Sequence, residues 1–163
     1  EGEKFVEKLP DSIKNDGKSV AEMIENHIRR VVNYEYQTNP EYYEKMSKIL
    51  DNLIDQRKQD KISYAEYLQQ VSDLARKVKQ IGVLDYPTSI AKHKELRALY
   101  DNLGKNEELA KKLHQDILTN KPHNYKDNSM KIRKVKQIIK ETLGTDDAEE
   151  IERIYKIVEQ NYD

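Results

Sequence analysis

Apolar residues in this chain recur every third or fourth position and show no sustained alternation, a spacing that builds helices rather than strands. The stretch NPEYYEKMSKILDNLIDQRKQ, residues 39–59, is a full example. At about 100° per residue, Tyr42, Tyr43, Met46, Ile49, Leu50, Leu53 and Ile54 fall within an arc of about 140°, and charged residues occupy the rest. Asn39 stands where a cap belongs. Pro40 takes the first helical position, where its missing N–H costs nothing, and Glu41 and Glu44 favour the positive helix end. Arg57 falls inside the apolar arc. One reading is that its stem runs along the apolar face while its charge favours the negative helix end. The other is a carboxylate partner on another helix or chain, which a planar guanidinium suits better than lysine does. Tyr42, Tyr43 and Arg57 are thus candidate inter-helix or partner contacts.

The same period marks the rest of the chain. Ser19 with Glu22 reads as a capping box opening a helix on Val20, Met23, Ile24, Ile28, Val31 and Val32, which should fade around Tyr36. Ser63 with Glu66 repeats the device before Tyr64, Tyr67, Leu68, Val71, Leu74 and Val78, and Gly82 follows as a stop. DYPTS (85–89) reads as a turn. A shorter helix carries Leu96, Leu99, Tyr100 and Leu103 and stops at Gly104; Asn106 caps the next, with Leu109, Leu113, Ile117 and Leu118 inward. NKPHNYKDNS (120–129) is a long polar connection. Ser129 opens a helix on Ile132, Val135, Ile139 and Leu143, closed by Gly144, and the last helix rests on Ile151, Ile154, Tyr155 and Val158. The expectation is an all-α fold, a compact bundle of about six amphipathic helices. Residues 1–17 are expected to be a tail or linker and 18–163 a single helical domain.

At 163 residues such a chain can bury about 68–70% of its unfolded surface without staples. It has no cysteine, which removes disulfides, thiolate metal sites and cysteine nucleophiles. Although 36% of residues are charged and mean hydropathy is −0.99, the net charge is only −1 and the charges interleave with apolar residues, so the composition does not imply disorder. No run reaches the roughly 18 apolar residues of a membrane span, and no signal peptide is visible.

Catalytic patterns are scarce. There is no phosphate-cradling glycine loop and no paired-histidine metal motif; His27, His93, His114 and His123 are scattered. His27, near an apolar stripe, reads as a partly buried, satisfied histidine. Asp146, Asp147, Glu149 and Glu150 read as cap and dipole partners at a helix start rather than as a metal or acid–base cluster. One charge feature exceeds the background. Between Asn120 and Lys140 seven basic residues (Lys121, Lys126, Lys131, Arg133, Lys134, Lys136 and Lys140) face one acid, Asp127. Arg133, Lys136 and Lys140 align within an arc of about 60° beside the apolar stripe. This is either a solvated helix face or a DNA-binding, phosphate-contacting stripe.

The blocks IRRVV, NPEYYEKMSKILDNLIDQRKQ, YAEYLQQVSDLARKV and LRALYDNLG, in that order from Ile28 to Gly104, resemble the C-terminal region of the motor/restriction (R) subunit of type I restriction–modification enzymes. The tail KIRKVKQIIKETLG…IYKIVEQNYD is similar in a looser way. The start EGEKF, with no initiator Met, agrees with a fragment of a larger subunit. The resemblance implies a parent that is a cytoplasmic, ATP-dependent DNA translocase and endonuclease of a bacterial or archaeal restriction system, with ATP and Mg as its cofactors. Its nuclease and ATPase motifs are not in this chain, so no catalytic residue, metal site or cofactor carries over. The implied role is a non-catalytic assembly module that docks the motor on the methyltransferase and specificity subunits, with duplex DNA as a further candidate partner. The alternative is a freestanding helical nucleic-acid-binding module; a weaker rival is an enzyme or nucleotide-binding domain with an unrecognised site.

Overall fold

A computed structural model of the chain describes residues 17–79 and 85–163. Among them are eight α-helices and no strand: α1 (Gly17–Glu35), α2 (Pro40–Lys58), α3 (Tyr64–Lys79), α4 (Thr88–Ala91), α5 (Lys94–Asn102), α6 (Glu107–Asn120), α7 (Ser129–Leu143) and α8 (Ala148–Asn161). A 3-10 turn, Tyr36–Thr38, separates α1 from α2. Seven of these correspond to segments read from apolar spacing. The eighth, α4, replaces the second half of the expected turn at 85–89: Pro87 precedes a single helical turn that buries Ile90 and Ala91. The expected tail, apart from Gly17, and the expected stop at Gly82 lie outside the described residues.

Local chemistry accounts for most boundaries. Asn39 caps α2, its Oδ1 accepting the Tyr42 N–H at 3.3 Å. Both halves of the capping box form at α3: the Glu66 N–H donates to Ser63 Oγ at 3.2 Å and the Ser63 N–H to Glu66 Oε2 at 3.1 Å. Asn106 caps α6 and Asp147 caps α8, with Glu149 and Glu150 in the first turn of α8 as the dipole argument requires. Gly104 and Gly144 both take left-handed conformations, φ +66° and +64°, where a side chain would be strained. Two starts differ from expectation. α1 already begins at Gly17, so Ser19 lies inside the helix. At α7 the cap is Asn128 rather than Ser129: its carboxamide oxygen accepts both the Met130 and Lys131 N–H groups, at 3.0 and 3.1 Å.

The described residues fall into two compact units. The first comprises residues 17–36 and 43–79. Here α1 packs on α3, burying Val20, Ile24, Ile28 and Val32 from one helix and Tyr67, Val71, Leu74 and Val78 from the other. Tyr43, Met46, Leu50 and Leu53 of α2 are buried as well, and Arg29 ties α1 to α2 through Asp51 at 2.9 Å.

The second unit comprises residues 37–42 and 85–163. Its four longer helices close on themselves: α5 packs on α6, α6 on α7, α7 on α8, and α8 returns to α5. Leu99, Leu113, Ile117, Val135, Ile139, Ile154 and Val158 fill the interior. Short connections from α5 to α6 and from α7 to α8, with a longer one between α6 and α7, make this a four-helix solution to burying four apolar stripes. Leu118 departs from expectation. It is 57% exposed, since consecutive residues 117 and 118 point about 100° apart and Ile117 takes the inward direction.

Candidate functional site

The basic block separates into three groups once folded. On α7, Val135, Ile139 and Thr142 turn inward, which sets the direction of every other side chain on that helix. Lys136 and Lys140 lie on the flank facing the start of α8. The Lys136 ammonium bonds Glu152 and sits 4.7 Å from the centroid of the Tyr155 ring. Burial pushes the Tyr155 hydroxyl up to about 12, assisted by its hydrogen bond to Glu159. Lys140 pairs with Asp146 at 2.7 Å, and the hydrogen bond they share raises the lysine and lowers the carboxyl. The 60° arc of Arg133, Lys136 and Lys140 is therefore divided, because two of its cations are held by Glu152 of α8 and by Asp146 just before that helix. Arg133 and Lys134 form the second group. Both are exposed, and among the described residues neither makes a hydrogen bond or an ion pair. Met130, 71% exposed, precedes them by one helical turn on the same outward side.

The third group surrounds Tyr125. That ring is fully buried although it stands in the longest polar connection, and its hydroxyl donates to the Tyr162 carbonyl at 2.9 Å and more weakly to that of Val158 at 3.4 Å. The Lys121 and Lys126 ammonium groups lie 5.2 and 6.0 Å from the ring centroid. Lys126 bonds Asp163 Oδ1 at 3.2 Å, and Lys121 donates to the Asp163 main-chain oxygen. Lys131 closes the loop on the His123 carbonyl at 2.7 Å. No periodicity argument reaches Tyr125, since it belongs to no helix.

Tyr42 and Tyr43 are core residues, both buried. Arg57 finds its carboxylate locally, Asp60 three residues on at 3.3 Å, and lies 5.9 Å over the Tyr64 ring. Together with Glu22, Glu25, Ile54 and Tyr67 it lines an open cavity of about 440 Å³ within the first unit. The Tyr67 hydroxyl donates to Glu25 there, and burial followed by that bond raises its pKa.

A buried polar network in the second unit went unread in the sequence. Asp101 accepts from the Tyr86 hydroxyl at 2.6 Å and from Asn39 Nδ2 at 2.7 Å, while Asn39 Oδ1 also accepts from Asn102 Nδ2 at 2.8 Å. Asn39 is only 3% exposed. Desolvation raises the Asp101 carboxyl, and the bonds from Tyr86 and Asn39 pull it back. Arg153 grips Glu150 through two bonds, of 2.9 and 2.7 Å, and donates to the Asn102 carbonyl at 2.9 Å. The signal was present, since Asn39 followed by Pro40 marks a helix start. What it lacked was any indication that the cap would be buried against a second helix.

The histidines do not converge into a metal site: among the described residues no group of three or more His, Asp or Glu side chains could hold a metal ion. His114 Nδ1 meets the Tyr162 hydroxyl at 2.6 Å and its ring stacks on His93 at 6.0 Å. Burial lowers the pKa of both His114 and His27. No described helix is long and apolar enough to cross a membrane. Comparison of the chain with protein-family models, with curated proteins and with solved structures found no match.

Proposed function

We propose that this chain is a non-catalytic assembly module of a type I restriction–modification R subunit, docking the ATP-dependent DNA motor on its methyltransferase–specificity core. The observation that carries the reading is the ordered run of blocks from Ile28 to Gly104. Within it Asn39, Tyr42, Tyr43, Met46, Tyr67 and Leu99 are all buried, so the run describes a packing arrangement rather than a set of reactive groups. ATP and Mg belong, in this reading, to the parent subunit, a cytoplasmic site-specific endonuclease. Its partners are the methyltransferase and specificity subunits, with duplex DNA as a second contact. The test is a pull-down of the chain with the methyltransferase–specificity core, beside the same core assembled with an R subunit lacking this region. Retained assembly and translocation without the region would sink the proposal.

The second reading is a freestanding helical nucleic-acid-binding module, and the exposed, unpaired Arg133 and Lys134 favour it. With two phosphate contacts, the log–log salt slope on duplex DNA is expected near −1.8, about 0.9 per contact. Charge reversal at both residues should abolish binding by the isolated chain. Affinity that ignores salt would refute this reading.

A further inference from the structure

Lys121 and Lys126 approach one buried ring, that of Tyr125, and both donate to a single residue, Asp163. Tyr125 organises all of them. Its hydroxyl fixes the Tyr162 carbonyl at 2.9 Å, which sets the main chain immediately before Asp163, while its ring lies beside the two ammonium groups. Each lysine is thereby tied at its ammonium end, both to the same residue and beside the same ring. Lys126 bonds the side-chain carboxylate of Asp163, which is fully exposed, whereas Lys121 bonds the main-chain oxygen of the same residue. Ion pairs of that kind hold weakly, because water and salt screen them and the acid gives up rotamer freedom.

We infer that Lys121 and Lys126 form a phosphate-binding site that Asp163 of the same chain occupies in this structure. A phosphate oxyanion offers the two ammonium groups more acceptor oxygens and more charge than one carboxylate oxygen and one main-chain oxygen do, and ammonium is a suitable point-charge partner for it. The assignment of lysines fits: a shallow site that accepts any orientation of a phosphate needs compact charges, whereas a planar guanidinium fork would impose one geometry. Lys131, drawn onto the His123 carbonyl, braces the loop and is not itself a contact. The inference does not depend on the restriction-complex reading, and it concerns different residues from the Arg133–Lys134 pair.

The test uses the full chain, inorganic pyrophosphate and a short duplex DNA as probes, and the lysine side-chain NMR resonances as readout. Titration with pyrophosphate is expected to move the Lys121 and Lys126 signals. Asp163→Ala frees Lys126 and keeps the main-chain oxygen that holds Lys121, so it is expected to tighten apparent affinity by up to about fivefold, the range set by the worth of one exposed ion pair. Lys121→Gln with Lys126→Gln should remove the response, while Arg133→Gln with Lys134→Gln leaves it intact. A response to duplex but not to pyrophosphate, still lost in the Lys121/Lys126 variant, supports the site and assigns its phosphate to a polynucleotide backbone. No response to either probe in the wild type and in Asp163→Ala overturns the inference, as does equal binding by the double glutamine variant. Binding that Asp163→Ala leaves unchanged overturns the claim that Asp163 holds the site. Asp163 packs against nothing that the fold needs, so that variant reports even if the glutamines unfold the loop.

Discussion

Replacing Asn39 with alanine removes three interactions at once, and their sizes can be worked from the geometry. The cap to the Tyr42 N–H, at 3.3 Å, is worth about 1 kcal/mol. The 2.7 Å bond to the Asp101 carboxylate involves a charged acceptor and contributes about 1.5–3 kcal/mol. The 2.8 Å bond from Asn102 adds about 0.5–1.5 kcal/mol, at the low end because Asn102 Nδ2 keeps the Ala98 carbonyl as a partner. Shared partners make these non-additive, so about 3–5 kcal/mol is the expected loss, measured by urea unfolding of the full chain. That is a large part of the 5–15 kcal/mol typical of a folded domain. A second readout is independent of stability. The Asn39 bond lowers Asp101, so its loss should raise the Asp101 carboxyl further, visible in a ¹³C NMR titration. Asp101→Asn in a double-mutant cycle should show coupling of at least about 1 kcal/mol with Asn39→Ala. A loss below about 1 kcal/mol together with no coupling would refute the network as described.

The pH dependence has a defined sign. His114 and His27 have lowered pKa values in the fold, so the unfolded chain binds more protons, and stability that is complete above about 6.5 should drain away as pH falls from there through the lower folded values. His114→Gln should flatten the thermal-melting profile between pH 7.5 and 5. The raised Asp101 acts oppositely at lower pH, favouring folding fully below its unfolded value and losing that effect as pH rises through its folded one. Adjacent residues on α6 should behave differently: Ile117→Ala, at a fully buried site, should cost about 2–5 kcal/mol, whereas Leu118→Ser should stay within about 0.5 kcal/mol by denaturant titration. Gly144→Ala meets no neighbour within 4 Å, so its cost in unfolding free energy, read by urea titration, should reflect the left-handed backbone alone, about 1–2 kcal/mol.

The sequence was informative wherever the determining chemistry was local. The Ser63–Glu66 box, the Asp147 cap and the Gly144 stop each involve residues within a few positions, and each formed as read. Leu118 failed because apolar spacing defines an arc but not which edge of it the neighbouring helices cover. Tyr125 was invisible for a different reason: its burial depends on the last turn of α8, more than thirty residues away. The basic block was legible as a run of charge but not as a surface. Glu152 on the next helix and Asp146 just before it pair with two of the three cations of the aligned stripe. Arg57 met Asp60, an acid only three residues downstream.

The second unit is not contiguous in the chain, and this matters for how it is made. Asn161 donates to the Thr38 carbonyl at 2.8 Å across 123 positions, and Asn39 meets Asp101 and Asn102 across 62 and 63. During synthesis the segment 37–42 emerges early and must wait for α5 and α8 before its polar groups have partners. At about 5–20 residues per second, the interval between Thr38 and Asn161 is of the order of 6–25 s. A peptide carrying residues 37–58 and another carrying 85–163 are thus natural candidates for fragment complementation, with the half-buried carboxylate of Asp101 as the group that gains most when they join.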